Sequence, residues 1–171
     1  MTRRAWGASL AGILLVALSV APSSPAASAA TTSTGTTARS TYTPEQFEAR
    51  VLALMNNRRA TVGCRALTMN SALVLAARRH NNRMVAEQTM SHQLPREASL
   101  GPRVTNAGYR GWRMLAENLA WGPTTPYGIY KLWLNSSGHR ANMQNCTLRN
   151  AGVGMAMSNG HAWVTADFGH R

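Results

Sequence analysis

The chain after residue 42 opens with apolar side chains at the three- and four-residue spacing of an α-helix. Thr43 precedes Pro44, and Gln46 follows three positions after the threonine, which is the pattern of a capping box with proline at the first helical position. Gly63 then interrupts the pattern. The apolar positions between these points are Phe47, Val51, Leu54 and Met55. We therefore predict a first helix that starts at Thr43-Pro44 and ends at Gly63.

Apolar stripes and caps indicate three further helices. The second starts near Asn70 and ends before Ser91-His92. Its stripe consists of Leu73, Ala76, Ala77, His80, Met84 and Val85. The third is predicted from about Pro126 to Leu134, and Ser136-Ser137-Gly138 has the composition of a cap for a short fourth helix. Residues 93–113, which contain several glycines and prolines, are predicted to be irregular.

Two runs near the end of the chain alternate apolar with other side chains, as strands with one buried face do. They consist of Val153, Met155 and Met157, and of Ala162, Val164, Ala166 and Phe168. Asn159-Gly160 lies between them, and this dipeptide between alternating runs is the strongest short-range signal of a hairpin. Helices first and an antiparallel hairpin last predict the α+β class.

The first 29 residues have the order of a secretory signal peptide. A positive start is followed by an apolar run from Leu10 to Val20 and by small residues for cleavage at Ala27-Ser28-Ala29. The run is shorter than the roughly 18–20 residues of a membrane span, and an uncleaved anchor is the alternative. Residues 30–42, rich in Ser, Thr and Ala, are predicted to be a disordered spacer. We therefore expect one domain, residues 43–171, of a secreted protein.

The chain is strongly basic, with a formal net charge of +12. A basic exported protein adheres to anionic polymers, such as those of a cell envelope. The alternative is a solvated surface in which arginine is preferred to lysine, since Lys131 is the one lysine of the chain. No basic run interleaved with aromatic side chains is present, so we expect no specific nucleic-acid binding. We expect the protein to be a monomer.

Cys64 and Cys146 are the two cysteines of the chain. In an oxidising compartment an even pair favours a disulfide. Zinc binding through the two thiolates is the alternative, but neither cysteine has a second ligand at close spacing. We expect a structural disulfide.

Two histidines and one glutamate lie in polar segments that suit a shared pocket. His92 follows the predicted second helix, Glu117 precedes Asn118, and His139 opens the predicted fourth helix, so that all three have loop-like or helix-start contexts. Imidazole and carboxylate together can bind a divalent metal ion, activate a water or anchor a polar ligand. A hydrogen-bonded structural cluster is the alternative. His80, on an apolar stripe, is expected to be a core histidine with satisfied nitrogens.

Several short motifs occur in a fixed order over residues 44–170. They are Asn56-x-x-Arg59, Gly63-Cys64-x-x-Leu67, His92, Arg103, Gly108, Glu117-Asn118-Leu119-Ala120, the segment from Trp133 through Gly138-His139-Arg140 to Asn142, Gly152-Val153-Gly154, and the segment from Trp163 to Asp167-Phe168-Gly169. Each motif is weak alone, but their order and spacing together are specific. The chain resembles the CAP superfamily, which includes cysteine-rich secretory proteins, antigen 5 and group-1 pathogenesis-related proteins, and it is most similar to exported bacterial members.

The resemblance implies a three-layer α-β-α sandwich with a small antiparallel sheet and a central cavity. His92 and His139 match the two cavity histidines of the family, and Glu117 matches the first of two glutamates found in many members. The second family glutamate lies three residues after Trp133, where this chain has Ser136. Similar cavities are associated with zinc or small ligands, and some eukaryotic members bind sterols or lipids.

We expect a non-catalytic module at the envelope or outside the cell, with a cavity for a divalent metal ion, a small ligand or a lipid. His92 and His139 are the expected metal ligands, with Glu117 beside them, and zinc is the candidate cofactor. The alternative is a metal-dependent hydrolase of peptide, ester or envelope polymer with Glu117 as its catalytic residue. The missing second carboxylate favours binding. A triad of Ser91, His92 and Asp167 would need a nucleophile elbow, which the sequence lacks.

Overall fold

The computed structural model describes residues 41–171, which form five helices and four strands. The helices are α1 (Pro44–Thr61), α2 (Ser71–Glu87), α3 (Leu100–Asn106), α4 (Pro126–Asn135) and α5 (Ser137–Gln144). The strands are β1 (Thr68–Met69), β2 (Met114–Gly122), β3 (Asn150–Ser158) and β4 (His161–His170). The predicted signal peptide, residues 1–29, and most of the predicted spacer, residues 30–42, lie outside the described residues.

The four predicted helices are confirmed, and their starts follow the local sequence. The Thr43 hydroxyl accepts a hydrogen bond from the Gln46 backbone N–H at 3.2 Å, and the Gln46 side chain accepts one from the Thr43 N–H at 2.9 Å. Asn70 caps α2 and Ser136 caps α5. These side chains satisfy N–H groups that have no partner inside the helix.

The prediction that residues 93–113 are irregular is wrong for Leu100–Asn106, which form α3. Gly101 and Pro102 suggested a break. Both lie in the first turn, where the backbone N–H has no intrahelical acceptor and proline is therefore tolerated. The fully buried Val104 anchors this short helix in a small apolar cluster with Leu73 of α2.

The sheet has the strand order β1-β3-β4-β2. The predicted hairpin joins β3 to β4, and its turn residues Asn159 and Gly160 have φ of 51° and 77°, as a two-residue turn of type I′ requires. β2, which the sequence did not predict, pairs antiparallel with β4. The two-residue β1 is parallel to β3, so the sheet is mixed at this edge although its three long strands are antiparallel.

Helices cover both faces of the sheet, and the α-β-α sandwich is thus confirmed. α1, α4 and α5 share the largest apolar cluster with one face, while α2 and α3 lie against the other. α2 comes very close to β3. A Cβ atom added to Gly152 would lie 2.1 Å from backbone atoms of Leu73 and Val74, so only glycine permits this approach.

The predicted disulfide joins Cys64 after α1 to Cys146 after α5. Arg59, which is fully buried, makes hydrogen bonds to four backbone carbonyl oxygens at 2.8–3.0 Å. The acceptors belong to Arg65, Met143, Asn145 and Leu148. The same two segments are therefore tied by a covalent bond and by a guanidinium group. None of the helices in residues 41–171 has the length and apolar character needed to cross a membrane.

Candidate functional site

Glu117 lies in the middle of β2, opposite Asp167 of β4, and not in a loop or at a helix start as expected. The alternation of the strand directs Glu117 and Leu119 to the face covered by α2, and Asn118 to the face covered by α5. The Glu117 side chain is only 4% exposed. A carboxylate buried to this degree needs partners that compensate the loss of water.

His92 is the first of these partners. It lies in the loop after α2 with 62% of its side chain exposed, and its Nδ1 donates to Glu117 Oε1 at 2.8 Å. His80 holds the same loop from inside, because its Nε2 donates to the Ser91 carbonyl at 2.9 Å. With Nδ1 bound to the carboxylate, Nε2 is the nitrogen of His92 that is left for a ligand.

Buried polar side chains hold Glu117 from the protein interior. Arg103 of α3 donates to Glu117 Oε2 through Nη2, and its Nη1 lies 3.5 Å from Glu97 Oε2. Glu97 Oε1 lies in turn 2.9 Å from His80 Nδ1. His80 is therefore the core histidine that the sequence predicted, with both nitrogens bonded and no exposed surface. The charged side chains of this network lie beside partners of opposite charge, and this pairing offsets the cost of burying them.

The opposite pKa shifts of His92 and Glu117 describe an ion pair. Burial raises the pKa of Glu117, but the His92 hydrogen bond and the charge of Arg103 together outweigh it and hold this pKa below its usual value. The same hydrogen bond raises the pKa of His92 against the effect of burial. Both shifts favour a protonated His92 imidazolium beside an ionised Glu117 carboxylate.

Asp167 brings a second carboxyl group next to Glu117, whereas the sequence had suggested it only as a member of a triad with Ser91 and His92. It is 1% exposed, and neither of its oxygens makes a hydrogen bond to another residue of the described part. Burial and the neighbouring negative charge of Glu117 raise its pKa well above the ordinary value. Of the two carboxyl groups, Asp167 is therefore the one that binds a proton more strongly.

His139 lies in the first turn of α5, on the other side of the edge strand β2. Its backbone carbonyl accepts a hydrogen bond from Asn118 Nδ2 at 3.0 Å, and Asn142 of the same helix donates to Asn118 Oδ1 at 2.9 Å. Burial lowers the pKa of His139, and so does the charge of His92, which places the two imidazoles within electrostatic range. We find no hydrogen bond to the His139 ring within residues 41–171.

The structure thus brings His92 and Glu117 into direct contact and places His139 on the helix that packs against the same stretch of β2. Within residues 41–171, no three His, Cys, Asp or Glu side chains are arranged to hold one metal ion together. Shared ligand binding by His92, Glu117 and His139 stays a prediction. The proposed triad fails on geometry, because His92 Nδ1 is bound to Glu117 and the Ser91 hydroxyl to the Gln93 carbonyl.

Arg103 was named in the sequence only as part of a motif, and Asp167 only as part of a motif and of the triad with Ser91 and His92. The sequence offers a weak signal for Asp167, an acidic residue between Ala166 and Phe168 in a predicted strand. It offers none for its pairing with Glu117, which depends on the register between β2 and β4.

Comparison with known proteins agrees with this architecture. The profile of the CAP family, described as the cysteine-rich secretory protein family, matches residues 52–168. The chain belongs to the CAP family. One relative of this CAP domain is the uncharacterized protein YkwD of Bacillus subtilis (strain 168), which is 31% identical over 131 residues, or 77% of this chain and 50% of that protein. The chain therefore spans half the length of this curated relative.

Solved structures show the same fold. An extracellular protein with an SCP domain from Bacillus anthracis is 24% identical and superposes with a TM-score of 0.67, over 76% of this chain and 44% of that one. An outer surface protein of Borrelia burgdorferi is 17% identical, with a TM-score of 0.70 over 76% and 96% of the two chains. These structures show the fold, and the 31% identity to the Bacillus subtilis protein places the CAP domain with bacterial members of the family.

Proposed function

We propose that this CAP domain is an exported, non-catalytic binding module that holds a divalent metal ion or a small polar ligand between His92 and His139. The observation that carries the proposal is the hydrogen bond of 2.8 Å from His92 Nδ1 to the buried Glu117. Metal-binding histidines commonly donate their second ring nitrogen to a carboxylate, which fixes the ring and increases the basicity of the free nitrogen. His92 has this arrangement before any ligand binds.

The donor set fits zinc in an open and weak site. His92 Nε2 and the His139 ring supply two imidazole ligands, and water would have to supply the others. Glu117 is a poor direct ligand, because His92 and Arg103 occupy one carboxylate oxygen each. It therefore orients His92. Bound zinc would supply a positive centre at which a carboxylate or phosphate of a larger ligand could bind.

A metal-dependent hydrolase is the second candidate, and one observation favours it. Glu117 and Asp167 are neighbouring carboxyl groups whose pKa values move in opposite directions, as in acid/base pairs of enzymes. Against it, Asp167 is 1% exposed and cannot touch a substrate, and Ser136, at the position of the second family glutamate, serves as the cap of α5. Metal-dependent turnover of ester, peptide or glycan substrates that Glu117→Gln abolishes would establish the enzyme instead.

Calorimetry with zinc on the full chain tests the binding site. We expect one weak site at about pH 7.5 that weakens further towards about pH 5.5. As the pH falls, His92 protonates first, because Glu117 raises its pKa, and the proton displaces the metal. His92→Ala and His139→Ala should each weaken binding by about tenfold or more, and Glu117→Gln by less than either, since it removes only the orienting hydrogen bond.

His161→Ala is the matched control, because His161 is an exposed histidine at the far end of β4. It should leave zinc affinity unchanged. If His161→Ala weakened binding as much as His92→Ala, the ion would be binding to surface histidines in general. Absence of any binding to the wild type, or equal affinity in His139→Ala, would refute the metal site.

The location at the envelope rests on three supports. These are the signal-like order of residues 1–29, the disulfide, and relatives that are themselves described as extracellular or outer-surface proteins. Removal of residues 1–29, which contain Arg3 and Arg4, would change the net charge from +12 to +10. This charge would hold an exported chain near anionic envelope polymers through a long-range, salt-sensitive attraction.

A further inference from the structure

A cavity of about 310 Å³ lies on the α2 face of the sheet at the end formed by the β3–β4 hairpin. Three aromatic side chains line it, those of Trp121, His161 and Trp163. Trp121 and Trp163 are register partners on β2 and β4, with ring centroids 6.2 Å apart in an edge-to-face arrangement. The ring of His161 lies against Trp121 at a centroid distance of 4.3 Å. The cavity therefore has a continuous aromatic wall.

Packing in the core explains why a tryptophan lies at position 163, but it does not explain the tryptophan at position 121. Trp163 is 5% exposed and belongs to an apolar cluster with Met84 and Leu94, whereas Trp121 is 45% exposed and belongs to none of the clusters in the described part. The indole N–H of Trp163 is buried and has no hydrogen-bond partner within residues 41–171. Buried indole N–H groups are normally paired, so the cavity combines an exposed aromatic surface with an unsatisfied donor in its wall.

The rim of the cavity is polar and held in place. Gln88, at the end of α2, and Asn159, in the hairpin turn, both have left-handed backbone conformations, with φ of 46° and 51°. Asn159 Nδ2 donates to Gln88 Oε1 at 3.2 Å, and Gln88 Nε2 donates to the Val85 carbonyl at 2.6 Å. Ser158 adds a hydroxyl group to the lining. The rim thus offers amide and hydroxyl groups on elements that are tied to each other.

The lining excludes several classes of ligand. It contains no Asp or Glu to pair with a cation and, apart from the imidazole of His161, no basic side chain to pair with an anion. Its volume lies at the lower end of the about 300–1,000 Å³ of ligand sites, which is too small for a long acyl chain. A sugar ring would match this lining. The C–H groups on its flat face carry a slight positive charge, and the aromatic face of an indole is negative. The hydroxyl groups around the sugar ring would meet the amides around the indole.

We propose that this cavity binds one sugar residue of a neutral glycan, with Trp121 stacked on the sugar ring and Gln88, Asn159 and Ser158 bonded to its hydroxyl or amide groups. The site is separate from the His92 pair. Trp121 lies four residues beyond Glu117 on β2, or about 13 Å at the rise of an extended strand. The proposal does not depend on metal binding.

Titration of the full chain with N-acetylglucosamine tetramer and with cellotetraose, followed by calorimetry and tryptophan fluorescence, tests the inference. At least one oligosaccharide should bind. Trp121→Ala should weaken its binding by about tenfold or more, and Trp121→Phe, which keeps an aromatic face, should weaken it far less. Trp112→Ala is the matched control, because Trp112 is 39% exposed but lies outside the cavity. It should leave the affinity unchanged.

His92→Ala should also leave glycan affinity unchanged, so this inference and the metal site can fail separately. Three results would overturn the inference. The first is that neither oligosaccharide binds at millimolar concentration, and the second is that Trp121→Ala binds as tightly as the wild type. The third is that tetramethylammonium binds in place of sugar and depends on Trp121, which would make the cavity a cation site.

Discussion

At the scale of the residue, Asp167 shows how a neighbouring charge changes the pKa of a carboxyl group. The same carboxyl group on an exposed strand would be ionised and unremarkable. Opposite Glu117, in the interior of the sheet and without a hydrogen-bond partner in the described part, it has a raised pKa. Because Arg103 and His92 stabilise the charge on Glu117, ionisation of the pair is favoured at Glu117, next to His92.

This shift predicts a pH-dependent effect of Asp167→Asn on stability. A raised folded-state pKa contributes stability that is complete below the unfolded pKa of about 3.9 and is lost as the pH rises through the folded value. Asparagine does not titrate. The melting temperature of Asp167→Asn relative to wild type should therefore rise between about pH 4 and pH 7. A difference in melting temperature that stays constant over this pH range would contradict the raised pKa of Asp167.

At the scale of the element, the close approach of α2 to β3 depends on glycine at position 152. We expect Gly152→Ala to destabilise the domain by about 3 kcal/mol or more, because the new methyl group would overlap backbone atoms that cannot move independently. Gly138→Ala, in α5 with open space around the added Cβ, should be neutral or stabilising by about 0.5 kcal/mol. Urea unfolding measures both, and similar values for the two variants would show that α2 can shift.

The elements that the sequence predicted correctly are those specified by local chemistry. Caps at Thr43 and Asn70 and the turn at Asn159-Gly160 depend on residues a few positions apart. β2 could not be predicted in this way. Glu117-Asn118 interrupts its apolar pattern, and both polar side chains are tolerated there only because Arg103 and Asn142, distant in sequence, bind them. The candidate histidines and glutamate could be chosen by resemblance, but their contacts depend on strand register and helix packing.

At the scale of the whole molecule, the disulfide joins residues 82 positions apart and closes a loop that contains β1, α2, α3, β2, α4 and α5. Replacing both Cys64 and Cys146 by serine should lower the free energy of unfolding by about 4–5 kcal/mol on the chain-entropy estimate. Urea unfolding of the double variant checks this value. A loss below about 1 kcal/mol would mean that non-covalent contacts alone restrict the ends of this loop.

Arg59 also affects how that bond forms. Its guanidinium binds carbonyl groups on both sides of the future bond, from Arg65 near one cysteine and from Asn145 next to the other. Once these contacts exist, each thiol meets the other at a high effective concentration, before any oxidant has acted. A chain with two cysteines has no wrong partner within itself, so the competing product is a covalent dimer of two molecules. We therefore expect Arg59 to favour the disulfide within one molecule over the covalent dimer.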